Sequence, residues 1–313
     1  MRVLLTGVAG FIGSNLTDKL LRDGHKVIGV DCFTDYYARE FKERNIVHLR
    51  GQNDFSFIEA DLLQMDLQLL VADVDVVIHL AAQAGVRNSW GTQFDVYLQN
   101  NIWTTQKLLE VCKGSRISKF IYASSSSVYG NVETYPVDEK APTRPFSPYG
   151  VTKLAAEHLS SLYCENYNVP TVALRFFTVY GPRQRPDMAF HKFIRAAMKG
   201  EPITVYGDGK QTRDFTYVGD IVNAIVRSFD APTGNIYNIG GGNRVSVIEV
   251  IGLLREIMDR DIQVKYVPNQ KGDVRDTSAD ISKAKKDLDY VPQVSLKEGL
   301  EAQIQWLVGM GKL

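Results

Sequence analysis

Cysteine is scarce in this 313-residue chain: Cys32, Cys112 and Cys164 stand far apart, and no two form a CxxC pair. That excludes a disulfide framework and a cysteine zinc site, and the three thiols read as packing residues. Charge of one sign is lacking too, because 36 Lys and Arg balance 36 Asp and Glu. No overall field draws the chain to nucleic acid or an acidic membrane, so neither is expected as a partner, and anion binding has to come from local arrangement. No apolar run approaches a membrane span. The first residues, Arg2-Val3-Leu4-Leu5-Thr6, read as a strand rather than as a basic segment with an apolar stretch and cleavage site, so a reducing, cytoplasmic setting is expected. The five histidines are scattered and His79 reads as strand-end packing, so no metal and no imidazole base are expected.

What is present is enough apolar residue, 44%, to fill one large core or two coupled ones. Short apolar runs at Val3-Leu4-Leu5, Val27 to Val30, Phe57-Ile58, Val76-Val77-Ile78 and Phe120-Ile121-Tyr122 have the character of buried parallel strands. Between them, Ser14 to Arg22, Thr92 to Cys112 and Tyr149 to Tyr167 have the length and period of crossover helices. Such alternation predicts an α/β protein with a doubly wound parallel sheet and right-handed crossovers. Beyond Arg175 Pro and Gly punctuate the chain, and a smaller second domain is expected there. Ile236 to Ile239 has the composition of a strand that returns to the first domain.

Gly7-Val8-Ala9-Gly10-Phe11-Ile12-Gly13 follows the first strand and opens a helix. Glycines at such a turn let backbone approach a pyrophosphate, and the helix N-terminus faces its charge. The spacing is GxxGxxG, not the GxGxxG of the common dinucleotide fingerprint. Asp31 ends the second strand, where a carboxylate accepts hydrogen bonds from adenosine ribose hydroxyls and repels a 2′-phosphate; this favours NAD over NADP. Asp61 and Leu62, ending the third strand, bracket the adenine or form an ordinary loop. Tyr149 and Lys153 lie four apart, hence on one helix face. A phenol is a poor base at neutral pH, and an adjacent ammonium would lower its pKa toward the working range. Upstream, Ser124-Ser125-Ser126-Ser127-Val128-Tyr129-Gly130 places hydroxyls at the carboxyl end of a strand, where open α/β sheets bind ligands.

Together, TGxxGFIG at Thr6 to Gly13, His79-Leu80-Ala81-Ala82, SSxxVYG at Ser124 to Gly130 and Tyr149-Gly-Val-Thr-Lys153 resemble the extended short-chain dehydrogenase/reductases that modify nucleotide sugars. The resemblance implies a Rossmann-type NAD-binding domain over residues 1–175, joined by a returning segment near 219–242, and a nucleotide-sugar-binding domain over 176–313. It further implies a Ser/Tyr/Lys catalytic set filled here by Ser125, Tyr149 and Lys153. Lys153 would also hold the nicotinamide ribose, Ala81, Ala82 and Gln83 would line NAD, and a homodimer would form through the Thr92 and Tyr149 helices.

Dehydratases of this family carry Asp-Glu after their catalytic Thr, and UDP-glucuronate decarboxylases carry Glu before Val-Tyr-Gly; here those positions are Ser126 and Ser127. An epimerase needs no such acid, and the two serines suit hydrogen bonds to sugar. Leu174 to Pro182 with Arg185-Pro186-Asp187-Met188-Ala189 resembles the same stretch of UDP-glucuronate 4-epimerases; Thr178 stands where galactose epimerases usually have Asn, and Gln270 also resembles the glucuronate enzymes. Arg185 offers a planar fork for a substrate carboxylate. Arg213 matches the family's phosphate-binding arginine, with Arg275 as a helper and Arg87 as a candidate on the sugar side. Thr277 fills the slot that gates substituent size in galactose epimerases. The expected reaction is NAD-dependent 4-epimerisation of a UDP-sugar, UDP-glucuronate to UDP-galacturonate, through a 4-keto intermediate. UDP-glucose/UDP-galactose or UDP-N-acetylhexosamine epimerisation, and decarboxylation or another net oxidoreduction, are the alternatives.

Overall fold

Strands that are covered on both faces need no polar alternation, and the first ones here show none. The computed structural model describes residues 1–268 and 270–311. Its strands are β1 (Arg2–Thr6), β2 (Lys26–Asp31), β3 (Phe55–Glu59), β4 (Val76–His79), β5 (Lys119–Ser125) and β6 (Thr171–Phe176). There follow β7 (Thr178–Tyr180), β8 (Ile203–Tyr206), β9 (Thr212–Arg213), β10 (Phe215–Tyr217), β11 (Ile236–Ile239), β12 (Val245–Ser246) and β13 (Val264–Val267). Seven of them form one sheet in the order β11-β6-β5-β4-β1-β2-β3, and every pairing in it is parallel. This is the doubly wound α/β sheet that the alternation predicts.

Side chains alternate across that sheet. Leu5, Ile78 and Ile121 enter one core with Leu16 and Leu20 of helix Phe11–Arg22 and Ile221 and Ile225 of helix Val218–Arg227. Leu4, Val77 and Phe120 enter the other with Leu108 and Leu109 of helix Thr104–Cys112 and Ala156 of helix Pro148–Tyr167. The chain winds outward from β1 in one direction and from β4 in the other, so the carboxyl ends of β1 and β4 flank the switch point where such sheets bind ligands.

A third core, with Phe193, Ile194, Val205, Leu254 and Leu300, fills the carboxyl-terminal lobe beneath helices Ala189–Lys199, Val247–Met258 and Leu296–Gly309. Asp214, fully buried between β9 and β10, ties this lobe to the segments after β11. Its carboxylate accepts the backbone N–H of Gly241 at 2.6 Å and of Ala279 at 3.0 Å, and burial raises its pKa to about 6. Among the described residues no helix is long and apolar enough to cross a membrane.

One element differs from its expected form. The run from Thr92 to Cys112 is not one regular helix but a short 3-10 turn, the α-helical Phe94–Tyr97, a π-helical Leu98–Trp103, and then Thr104–Cys112. The cause is local. Asn101 is buried and its side chain takes over the backbone of Gln83, accepting from Gln83 N at 2.7 Å and donating to Gln83 O at 3.0 Å. Satisfying that loop displaces the helical register, as π-bulges beside functional sites commonly do.

Candidate active site

A cleft of about 430 Å3 opens at the switch point. Gly7, Gly10, Phe11, Ile12 and Gly13 line its floor beside Asp31, and Asp61 and Leu62 line the same end. Packing dictates the glycine at 13: a Cβ there would lie 2.2 Å from Gly7 O. Helix Phe11–Arg22 has no side-chain cap and no acidic residue in its first turn, so its N–H groups and dipole remain available to an anion. Asp31 accepts from Ala9 N at 3.0 Å and Phe33 N at 2.9 Å, which aims its carboxylate; burial raises its pKa and those amides oppose the rise. Lys42 is buried close by, with Nζ 2.6 Å from Thr34 O. The sequence reading missed it, since a lysine on helix Arg39–Ile46 looks like any surface cation.

The other end of the cleft holds Ala81, Ala82 and Gln83 after β4, Ser125 at the end of β5 with Ser126 and Ser127 after it, and Tyr149, Lys153, Thr178 and Arg185. Local sequence places the two catalytic candidates. Ser125 ends β5, and its Oγ accepts from Ser127 N at 3.1 Å, turning the chain into a 3-10 turn over Ser126–Val128. Ser147 caps the next helix through Gly150 N at 3.1 Å, and Pro148 is preset for its first position, so Tyr149 enters at the top of helix Pro148–Tyr167. A Cβ on Gly150 would stand 2.5 Å from Ser127 O, so the helix can pass this close to the serine turn only with glycine there.

Burial raises the pKa of Tyr149, while a hydrogen bond with Ser125 and the charge of Arg185 pull it down. The expected pairing of phenol with ammonium takes a different form here. Lys153 Nζ lies over the Tyr122 ring, 4.4 Å from its centroid, and the groups that oppose burial at Tyr149 are Ser125 and Arg185. Burial brings the Lys153 ammonium down to about 7, with Glu157 pulling it back up. Tyr149, Lys153 and Glu157 follow one another at one-turn spacing. Glu157 in turn accepts from Ser124 Oγ at 2.6 Å and from Arg175 Nη2 at 2.6 Å and Nε at 3.0 Å, all buried. A glutamate two turns from the tyrosine carries no pattern of its own, and its partner Arg175 lies 18 residues away.

Tyr97 also escaped the sequence reading. Its ring meets that of Tyr149 edge-on at 6.3 Å, and its hydroxyl donates to Ala84 O at 3.0 Å and Gly85 O at 2.8 Å. A π-helix between two α-helical pieces is what brings it there, and no helical periodicity predicts that.

Four substrate candidates stand outside the cleft lining. Arg213 donates to the carbonyls of Thr212, Arg275 and Val274, at 2.9, 2.7 and 2.6 Å, so it is held by backbone, with the charges of Asp273 and Asp276 acting on it. Arg275 is exposed beside Asp276 at 3.8 Å. Arg87 pairs with Asp273 at 2.7 Å and lies over Tyr206. Thr277 Oγ1 accepts from Asp214 N at 3.1 Å. Among the described residues no group of His, Cys, Asp and Glu stands where it could hold a metal ion.

Comparison with known proteins places this geometry. The chain is 46% identical to an uncharacterised UDP-glucose epimerase, YtcB, of Bacillus subtilis, with 98% of each chain covered. It is 39% identical to a UDP-glucuronate 4-epimerase of Thermodesulfobacterium geofontis, covering 97% of this chain and 95% of that one. The solved structure of a UDP-glucuronic acid 4-epimerase from Bacillus cereus in complex with UDP-glucuronic acid and NAD superposes with a TM-score of 0.97 at 45% identity, covering 99% of this chain and 100% of that one. The family described as GDP-mannose 4,6 dehydratase matches residues 4–303, and with that match and these relatives the chain belongs to this family of extended short-chain dehydrogenase/reductases.

Proposed function

We propose that this protein is an NAD-dependent UDP-sugar 4-epimerase acting on UDP-glucuronate to form UDP-galacturonate. One observation carries the reading: Ser125, Tyr149 and the arginine Arg185 line the same cleft as a glycine turn and an aimed Asp31. The glycine turn, uncapped helix and Asp31 fit a dinucleotide with free ribose hydroxyls, so NAD rather than NADP belongs there. When bound, NAD takes hydride from sugar C4 and returns it.

The chain's own residues do the remaining work. Tyr149 removes the proton of the 4-hydroxyl and later returns it, and Ser125 hydrogen-bonds the same oxygen. A 4-keto sugar results, turns its other face to the same tyrosine, and is reprotonated with inverted C4 configuration. Lys153 anchors the cofactor ribose. Arg185, with Ser126, Ser127 and Thr178, holds the carboxylate of the keto acid away from the geometry in which its C–C bond overlaps the carbonyl and carbon dioxide is lost. Arg213, held by backbone carbonyls, serves the diphosphate, with Arg275 and Arg87 beside it and Thr277 shaping the sugar end. Residues 1–175 together with a returning segment near 219–242, which carries helix Val218–Arg227 and β11, make the cofactor unit, and the remainder of 176–313 the nucleotide-sugar unit. Two copies pair through the helical run that ends in Leu98–Trp103 and Thr104–Cys112 and through helix Pro148–Tyr167, which support this by exposing Trp103, Val151, Leu162 and Tyr167. Three free thiols fit the reducing cytoplasm.

A second reading, epimerisation of UDP-glucose, is favoured by the 46% identity with the uncharacterised UDP-glucose epimerase YtcB. Incubation with UDP-glucuronate, UDP-glucose and UDP-N-acetylglucosamine side by side, without added cofactor, decides. UDP-galacturonate as the fastest product is expected; a faster neutral-sugar product selects the second reading.

A further inference from the structure

Arg185 is not free to swing. Its Nε donates to Asp187 Oδ1 and its Nη2 to Asp187 Oδ2, both at 2.9 Å, a parallel two-point pair along one edge of the guanidinium. Asp187 is itself triangulated, because the Tyr36 hydroxyl reaches its Oδ2 at 3.4 Å. Burial first and Asp187 next raise the Tyr36 pKa to about 12, so that hydroxyl keeps its proton and donates. The Tyr36 ring stacks beneath the guanidinium, 5.6 Å from Arg185 Cζ. Tyr36 is fixed in turn by the loop after β4: a Cβ on Gly85 would stand 2.1 Å from its hydroxyl, and Gly85 O is the carbonyl that Tyr97 holds. A continuous set of contacts therefore runs from Tyr149 through Tyr97, Gly85, Tyr36 and Asp187 to Arg185.

We infer that Asp187 is a positioning and specificity-determining residue, which holds the Nε–Nη2 edge of Arg185 and leaves the Nη1–Nη2 end as a preset fork for an acidic sugar. The inference rests on Arg185 being the carboxylate reader. A guanidinium has two usable edges for bidentate pairing, and Asp187 takes the side edge while the end edge is the one left for a ligand. Holding a long side chain in advance removes the ordering loss that binding would otherwise incur. Asp187 is thus a clamp on Arg185 and not a rival for it.

The test uses holoenzyme and compares Arg185→Ala, Asp187→Asn and the double variant on UDP-glucuronate and UDP-glucose, with UDP affinity as a check on the diphosphate site. Arg185→Ala should lower UDP-glucuronate turnover by about 10- to 150-fold more than UDP-glucose turnover. Asp187→Asn should raise KM for UDP-glucuronate about tenfold relative to UDP-glucose, with kcat nearly unchanged. In the Arg185→Ala background it should add nothing, because Asp187 acts only through Arg185. Equal losses on both sugars in Arg185→Ala would overturn the carboxylate reading itself. A selective loss there, with no change or a lower KM in Asp187→Asn, would leave that reading standing and overturn the clamp. An additive double variant would also overturn it, and so would lost UDP affinity in Asp187→Asn.

Discussion

At the scale of single residues, the proposed chemistry converges on Tyr149. Its half-buried phenol lines the cleft, where desolvation opposes ionisation and Ser125 and Arg185 favour it. Removing the hydroxyl deletes the group that takes and returns the proton in the proposed reaction, while the ring keeps its contact with Tyr97. Tyr149→Phe should fold, carry NAD and lose epimerase turnover by about 100- to 10,000-fold, the usual reach of general acid–base catalysis. Product analysis by chromatography, with the cofactor content measured on denatured protein, checks both halves. Substantial turnover in the variant would move the base to another group.

At the scale of elements, the site depends on how closely helix Pro148–Tyr167 passes the serine turn. Gly150 is helical, so alanine there suits the local backbone better than glycine does. The Cβ it adds would meet Ser127 O at 2.5 Å, and helix or turn has to shift. Because displacements of about 1 Å cost on the order of a hundredfold in a positioned reaction, Gly150→Ala should reduce turnover by about 10- to 100-fold. Its melting temperature should change by only a few degrees. Unchanged turnover would show that the spacing between Tyr149 and Ser125 tolerates movement of this element. The same helix carries Glu157, whose buried pair with Arg175 of β6 is 1% and 4% exposed, so removing either partner alone would strand a charge and cost about 3–5 kcal/mol.

Two consequences belong to the whole molecule. His79, fully buried where β4 meets the cleft, bonds Thr6 Oγ1 at 2.8 Å and Thr105 Oγ1 at 3.1 Å, and burial followed by Lys153 holds its pKa at about 3 against an ordinary 6.5. The unfolded chain therefore takes up a proton that the folded one refuses. This part of the stability is complete above about pH 6.5 and is lost as pH falls toward 3. Asp214, raised from 3.8 to about 6, works in the opposite sense, because the folded chain takes its proton first and gains stability as pH falls through that window. The larger displacement is that of His79. Melting temperature should fall between pH 7 and 5, and His79→Gln should flatten that slope; an unaltered slope would clear His79 of the effect. The second consequence concerns assembly. Trp103 is 52% and Leu162 52% exposed on neighbouring helices, more apolar surface than a lone chain has reason to show there. The protein should run as a dimer in light scattering at micromolar concentration, and Trp103→Glu with Leu162→Glu should yield folded monomers.

The legible part of this protein is whatever short-range pattern determines. Apolar runs at strand spacing specify the parallel sheet, because burial on both faces leaves no room for polar alternation. A glycine turn, a carboxylate at the next strand end and a Tyr–Lys pair one helical turn apart announce themselves because each serves a contact within a few residues, or a ligand of fixed shape. Long-range packing decided the rest. It bent the run from Thr92 to Cys112 through a π-helical segment, because a buried Asn101 has to satisfy the backbone of Gln83, and so delivered Tyr97 to Tyr149. It set the Lys153 ammonium on the Tyr122 ring and left Ser125 and Arg185, not Lys153, to oppose burial at the Tyr149 phenol. It also joined Tyr36 to Asp187 across 151 residues, turning an arginine that sequence could only nominate into a fork with one edge held. Periodicity records the neighbours of a residue along its own element, and these partners come from other elements.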